Sequence, residues 1–322
     1  MTELNYLEKS IKIATQSDSI VLITGATGTG KTSLAKEIHE KSLRKSNPFI
    51  HINLATLHEG TFESELFGHE RGAFTGADKR RAGRLQIAQG GTVFLDEVGE
   101  LSQKMQAKLL EFLQSKTIFR IGANESTYVN ARVIAATHKN LTEAVKNLEF
   151  RADLLQRLKV ITLELKELKE RMEDFSLILH KCLNDISSLF NVSVPKIDPQ
   201  VIEKFHEYAW PGNIRELKNI LEYAIQSSEN DTITYQDLPL WFQKEINKKI
   251  IHESSNTLGT AEIILTNDFY ATSKKFEKEY VMRALKKNKG MIGATARYLR
   301  INQSTLIRKI RILNIYPNQA HN

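Results

Sequence analysis

The spacing of apolar and polar positions changes along the chain. In the first half, short apolar runs alternate with stretches of helical period. Residues 19–25 (SIVLITG) form a continuous apolar run closed by glycine, the pattern of a strand buried on both faces. Over residues 31–44, Leu34, Ala35, Ile38 and Leu43 fall near one side of a helix. Further strand-like runs occupy residues 49–53, 92–95, 132–136 and 160–163. Strands that alternate with helices predict an open parallel sheet covered by helices on both faces. After about Leu165 the β pattern stops, and residues 168–190, 199–208 and 213–227 read as helices. From about 227 to 273 Ser, Asn, Asp and Thr, with Gly259, predict a linker that has some helix over 239–251. A compact helical module closes the chain, and no internal repeat is visible.

Composition narrows the class. A chain with 41% hydrophobic and 26% charged residues is globular. No apolar run approaches the ~18 residues of a membrane span. The start, MTELNYLEKS, lacks the basic-then-apolar pattern of a signal peptide, so a cytoplasmic address is expected. The single Cys182 cannot form an intrachain disulfide. The net charge of +7 is unevenly spread. Between Lys274 and Arg311 there are twelve Lys and Arg against two Glu, a net +10, which leaves −3 for the rest. That concentration points to nucleic-acid contact by the last module, the alternative being a solvated Lys-rich surface.

Candidate chemistry begins at the first strand. Gly25-Ala26-Thr27-Gly28-Thr29-Gly30-Lys31-Thr32, followed by Ser33, fits G-x-x-x-x-G-K-S/T between a strand and a helix. Glycines let the backbone N–H groups turn toward phosphates, Lys31 reaches the β- and γ-phosphates, and Thr32 offers a hydroxyl to Mg²⁺. The run 92–95 delivers Asp96 and Glu97. Asp96 stands where Mg²⁺ needs a carboxylate, and Glu97 can polarise an attacking water. The alternative is an exposed acidic pair. ATP and Mg²⁺ are the expected ligands.

Five stretches then occur in order: GATGTGKT (25–32), ESELFGHERGAFTGA (63–77), GGTVFLDEVGEL (90–101), FRADLLQRL (150–158) and WPGNIREL (210–217). Together they resemble the AAA+ ATPases that activate bacterial sigma-54 RNA polymerase, the bacterial enhancer-binding proteins. The resemblance covers roughly residues 5–240, and the last module extends it. It implies an α/β fold class: an AAA+ P-loop NTPase core with a parallel sheet (1–164), a helical lid (165–235), a linker (236–273) and a C-terminal all-α helix-turn-helix (274–322). The implied architecture lacks an N-terminal receiver or ligand domain, since little chain precedes Gly25.

Residue by residue, the resemblance assigns the loop Gly72, Ala73, Phe74, Thr75, Gly76 and Ala77 to sigma-54 contact. Glycines at both ends suit a tight turn, with a ring and a hydroxyl at its tip. Arg151 and Arg157 match arginines that act in trans on the nucleotide of a neighbouring subunit, which implies a homo-oligomer, from dimer to hexameric ring. Spaced six apart on a helix, they do not share a face fully, so one is expected to reach the phosphate and the other to support the subunit interface. Arg215 matches the second sensor, Thr137 and His138 the first, and Asn53 the residue that holds Glu97 when the bound nucleotide changes. Three departures stand out. Leu54 replaces a common Cys, Thr32 replaces a common Glu and restores the magnesium pattern, and the lid entry 168–171 lacks a preceding Pro-Pro and is expected to be loose.

Residues 294–299 and 303–313 read as the two arms of a helix-turn-helix, with Leu306, Ile310 and Leu313 on the packing face. The arrangement resembles the factor-for-inversion-stimulation type. It implies that the second helix enters the major groove, with Gln303, Ser304, Thr305 and Arg308 nearest base edges and Lys309 and Arg311 on phosphates. Arg300 stands where the turn usually has Gly and adds a cation there; the alternative for the module is helical packing alone.

The leading expectation is therefore a sigma-54-dependent activator. It binds upstream double-stranded DNA and uses ATP to remodel the sigma-54 RNA polymerase holoenzyme from closed to open complex. It is cytoplasmic and nucleoid-associated, and is controlled by a regulatory protein in trans or by its abundance. The competing expectations are a nucleotide-gated DNA-binding regulator independent of sigma-54 and a general AAA+ helicase or protein remodeller. The intact 72–77 loop opposes the former and the address-like DNA module opposes the latter.

Overall fold

The computed structural model describes residues 3–228, 230–246, 269–288, 290–313 and 315. The chain divides into two compact units between Gln243 and Lys244. In the first, helices α1 (Glu3–Gln16), α2 (Lys31–Glu40), α3 (Glu59–Phe67), α4 (Gln103–Ser115) and α5 (Ala152–Leu158) surround five strands. The strands are β1 (Val21–Gly25), β2 (Phe49–Asn53), β3 (Thr92–Asp96), β4 (Arg132–Thr137) and β5 (Ile161–Leu165). All pair in parallel, in the order β2-β3-β4-β1-β5.

Alternate strand residues explain why both faces need cover. Leu22, Val93, Leu95, Val133 and Ala135 join the core under α3, α4 and α5. Their neighbours Val21, Ile23, Phe94, Ile134 and Ala136 join the opposite core with Ala14 of α1 and Leu34, Ala35 and Ile38 of α2. A strand buried on both sides reads as a continuous apolar run, which is why these strands were visible in the sequence.

The boundaries shift in places. Helix α2 stops at Glu40 and not near Arg44, and Leu43 is 85% exposed and off the packing face. Strand β5 begins at Ile161, leaving Val160 exposed. Helices α1, α3 and α4 and two small hairpin pairs, Gly68–His69 with Arg81–Ala82 and Thr117–Phe119 with Ser126–Tyr128, lie beyond the expected elements.

The helices after β5 follow expectation closely: a 3₁₀ segment (Leu168–Asp174), then α6 (Phe175–Phe190), α7 (Pro199–Glu207) and α8 (Asn213–Ser227). The β pattern does not stop at Leu165, however, because Lys196–Ile197 and Thr232–Ile233 form a short parallel pair. Trp210 is fully buried in an aromatic cluster with Phe175, Phe205, Tyr208 and Phe242. Phe242, on a helical stretch over 240–246, therefore belongs to the lid core, and a linker starting at 236 begins too early. At its other end the expected linker is also too long, because residues 269–273 open a helix; 247–268, with the rest of the expected helix over 239–251, lie outside the described residues.

In the second unit α9 (Phe269–Lys287), α10 (Ile292–Tyr298) and α11 (Gln303–Ile312) pack around Leu285, Ala296, Leu306, Ile310 and Leu313. The predicted packing face is the observed one.

Candidate functional site

The phosphate-type loop runs from the end of β1 into α2. Gly28 (φ 82°) and Gly30 (φ 100°) occupy the left-handed region. A Cβ on Gly28 would lie 2.3 Å from the carbonyl oxygen of Gly212, so close packing requires glycine there as well. Lys31 is buried, and its ammonium donates to the carbonyls of Gly25 (2.8 Å) and Ala26 (3.1 Å). The Thr29 hydroxyl also donates to Ala26 (2.9 Å), stiffening the turn. Burial lowers the pKa of Lys31 from the usual lysine value. Glu97 and Asp96 oppose that shift, and Arg215 adds to it. An ammonium held only by loop carbonyls, at a helix N-terminus, suits a polyphosphate.

Thr32 and Ser33 are exposed on the first turn of α2. Arg215 lies on the first turn of α8, its backbone N–H donating to the Gly28 carbonyl (3.2 Å). Asn213 joins the two parts. Its side chain donates to the Thr27 carbonyl (3.1 Å) and accepts from the Leu168 N–H (2.8 Å), while its own backbone is left-handed (φ 54°). The lid entry is thus pinned and not loose, despite the missing Pro-Pro. No sequence signal had singled out Asn213.

Beside the loop, Asp96 closes β3, and its carboxylate lies 3.3 Å from His51 Nε2. Glu97 is left-handed (φ 60°, ψ 48°), a conformation that costs a non-glycine residue about 1–2 kcal/mol. One carboxylate and one hydroxyl, Asp96 and Thr32, fit magnesium, which is held by few protein ligands together with substrate phosphates.

Glu97 does not pair with Asn53. The Asn53 side chain instead accepts from the Ala55 N–H (3.0 Å), because it caps the turn after β2. Glu97 Oε2 accepts from His138 twice, from Nδ1 (2.7 Å) and from the backbone N–H (3.2 Å). Thr137 is fully buried, its hydroxyl accepting from the Lys139 N–H (3.0 Å).

Both expected trans-acting arginines have partners within the chain. Arg151 is the non-helical N-cap of α5, so the angular argument does not apply to it. It binds Asp153 through two nitrogens (3.1 and 2.8 Å). Arg157 donates to the Leu113 carbonyl at the end of α4 (3.1 Å).

The 72–77 segment forms the tip of the first hairpin. The Gly72 N–H donates to Ala77 O (2.9 Å) and the Ala77 N–H to Phe74 O (3.0 Å), with Gly72 and Gly76 left-handed. Thr75 is exposed and Ala77 buried. Phe74 is 46% exposed, its ring edge-on to His69 at 5.0 Å. His69 Nδ1 in turn lies 2.8 Å from Ser64 Oγ. The second hairpin buttresses the first through the Arg120–Glu70 ion pair (2.7 Å) and close packing of Gly122 on Ala73.

In the second unit Arg300 takes a left-handed conformation (φ 55°). Its N–H donates to Arg297 O and that of Ile301 to Ala296 O, the hydrogen-bond pair of a glycine-type helix stop. Gln303, Ser304, Arg308 and Arg311 are exposed, and Thr305 is half-buried. Lys309 is ion-paired with Glu277 of α9 and so is less available to a phosphate than expected.

A five-stranded parallel sheet with this loop, a paired carboxylate strand and a helical lid defines a P-loop NTPase of the AAA+ type. The family model described as the sigma-54 interaction domain matches residues 2–164. The AAA+ ATPase lid domain matches 169–254, and the Fis family of bacterial regulatory proteins matches 272–312. The chain belongs to the sigma-54 interaction domain family. It is 39% identical over 307 residues to the transcriptional regulatory protein ZraR of Salmonella typhimurium, covering 95% of this chain and 66% of that protein. It is 39% identical over 302 residues to the regulatory protein AtoC of Escherichia coli, covering 94% and 64%. The chain thus spans about two thirds of the length of these relatives. The structure of NtrX from Brucella abortus in complex with ATP matches with a TM-score of 0.65 at 28% identity, covering 98% of this chain and 68% of that one. Among the described residues no helix is long and apolar enough to cross a membrane.

Proposed function

We propose that the chain is an ATP-hydrolysing transcription activator that acts on sigma-54 RNA polymerase from upstream DNA sites. The observation that carries this reading is the compact, glycine-hinged 72–77 turn, with Phe74 and Thr75 exposed, in the same folded unit as the phosphate loop.

In this reading residues 25–33 wrap the triphosphate of ATP, and Lys31 leaves its loop carbonyls for the phosphates. Arg215 couples the lid to the same phosphates, and Glu97 orients the attacking water. Thr32 and Asp96 hold Mg²⁺, which neutralises charge on the phosphates. Arg151 and Arg157 exchange their intrachain partners for a neighbour's nucleotide when subunits assemble into a ring, a hexamer at full assembly. Turnover moves the 72–77 loops against sigma-54. Residues 274–322 bind double-stranded DNA through Gln303, Ser304, Thr305, Arg308 and Arg311, with Arg300 on a phosphate. A cytoplasmic, nucleoid-associated protein controlled in trans by a regulatory partner fits this division of labour.

The test is promoter opening with purified chain, ATP and sigma-54 polymerase. Phe74→Ala is expected to keep ATPase activity and lose open complex. If wild type gives no open complex while hydrolysing ATP, sigma-54 is not the target. A regulator that acts through DNA alone would then remain.

A further inference from the structure

Strands β2 and β3 pair in parallel with His51 opposite Phe94 and Asn53 opposite Asp96. Side chains two apart on a strand share a face, so His51, Phe94 and Asp96 project from the same side of the sheet. Phe94 identifies that side, because it packs in the core with Leu34, Ala35 and Ile38 of α2. The first turn of α2 also carries Thr32. His51 and Asp96 are therefore diagonal neighbours across two strands, a separation that a long side chain bridges. The contact is made: His51 Nε2 lies 3.3 Å from Asp96 Oδ2. A carboxylate only accepts, so Nε2 carries the proton.

The Asp96 side chain is 15% exposed and that of His51 40%. Among the described residues no other group hydrogen-bonds the Asp96 carboxylate. The imidazole is itself set by packing. Its ring lies 4.9 Å from that of Phe94, tilted by 34°, and Phe94 is fully buried. A fixed wall thus orients the ring that orients the carboxylate. Strand order puts His51 on one flank of Asp96 and the phosphate loop on the other. β2 adjoins β3 on one side, whereas β4 and then β1, which feeds the loop, follow on the other. Oδ2 is engaged from the β2 flank, which leaves Oδ1 for the flank of the loop.

We infer that His51 is a positioning residue for the magnesium-binding carboxylate. Its Nε2 donor fixes the Asp96 side chain through Oδ2 and leaves Oδ1 for the cation that Asp96 shares with Thr32. The imidazole acts through Asp96 and does not ligate the cation. A carboxylate already held by a neighbour has less freedom to lose when the cation arrives, and outer partners of this kind contribute roughly tenfold to a hundredfold in metal affinity. The length of 3.3 Å and the half-exposed ring put His51 at the low end of that range. The proposal rests on the ATPase reading above and deepens it, adding a β2 side chain that neither the phosphate loop nor the carboxylate strand contains.

The test uses the full chain, in excess over a non-hydrolysable ATP analogue, with Mn²⁺ as the probe of the magnesium position. Free Mn²⁺ is read by electron paramagnetic resonance, and analogue affinity is measured separately in EDTA. Side-chain geometry supplies the control: Gln places its amide nitrogen near the Nε2 position, whereas Asn places its own near Nδ1. His51→Ala and His51→Asn are expected to weaken Mn²⁺ binding by about tenfold. Analogue affinity without metal should stay within about twofold of wild type, because no phosphate contact is lost. His51→Gln is expected to keep Mn²⁺ affinity within about threefold of wild type, because it keeps the donor. Wild-type Mn²⁺ affinity in His51→Ala, or equal loss in the Gln and Ala variants, overturns the proposal. So does a nitrogen bound directly to Mn²⁺ in pulsed spectra of the wild type, which makes His51 a ligand. A wild-type chain that binds the analogue but no Mn²⁺ overturns the magnesium assignment of Asp96, and the proposal with it. A wild-type chain that binds Mn²⁺ and ATP without hydrolysing ATP overturns the ATPase reading alone, and the Mn²⁺ affinities of the variants still decide the role of His51.

Discussion

Asn213 ties the lid to the phosphate loop through its side chain, and its removal has a calculable cost. In Asn213→Ala the Leu168 N–H loses its acceptor in a buried setting, which costs about 1–3 kcal/mol. The Thr27 carbonyl loses a donor but is partly open to water, a loss of about 0.5–1.5 kcal/mol. Alanine also tolerates φ 54° less well than asparagine does, by about 1 kcal/mol. The expected destabilisation is about 3–5 kcal/mol, beyond the usual range for single substitutions. Urea unfolding followed by tryptophan fluorescence reports it, since Trp210 is fully buried in the lid. With a slope of about 3 kcal/mol per molar, the midpoint should fall by roughly 1–1.7 M. Asn213→Gly loses the same hydrogen bonds without the backbone penalty and should recover about 1 kcal/mol of the loss. A midpoint for Asn213→Ala within about 0.3 M of wild type would show that water replaces both partners, and the reasoning fails. Asn213→Gly at or below Asn213→Ala would refute the backbone component.

Three further outcomes follow. Gly28→Ala should abolish ATP binding in a fluorescent-analogue titration, because its Cβ meets the Gly212 carbonyl at 2.3 Å and its φ is 82°. The Arg44 guanidinium holds the Asp18 carboxyl below its ordinary value near 3.8, so the stability it adds is present above that value and is lost as pH falls through the depressed one. Asp18 is exposed, which limits the gain to about 1 kcal/mol, and Asp18→Asn should remove that part of the acid-side slope in denaturation midpoints measured from pH 6 to pH 2. Arg300→Gly should raise the thermal midpoint of the second unit, relieving about 1 kcal/mol of left-handed strain, while the salt dependence of DNA binding loses about one unit of slope.

Much of this molecule is legible from local pattern. Strands buried on both faces announce themselves as apolar runs, and the loop 25–32 needs only its own glycines and lysine to be read. The helix stop at Arg300 was anticipated from one position in a known turn, and its positive φ agrees. The parts that escaped depend on partners distant in sequence. Helix α1 precedes the first recognisable strand, and its Ala14 is buried only once the sheet residues Val21, Ile23 and Leu163 gather beside it. Phe242 reads as part of a linker until the aromatic cluster around Trp210 surrounds it.

The candidate site divides along the same line. Sequence by itself determined which groups are present: the phosphate loop, the Asp96–Glu97 pair, the 72–77 turn and the basic last module. Each is a contiguous run whose chemistry follows from residue type and spacing. Tertiary structure alone decided how those groups are held. It placed β4 between β3 and β1, so Glu97 meets His138 and not Asn53. It folded Asn213 back onto Thr27, 186 positions earlier, and tied Arg157 to Leu113, 44 positions earlier. Strand order and long-range side-chain hydrogen bonds are properties of the assembled sheet and lid, and no local spacing rule encodes them.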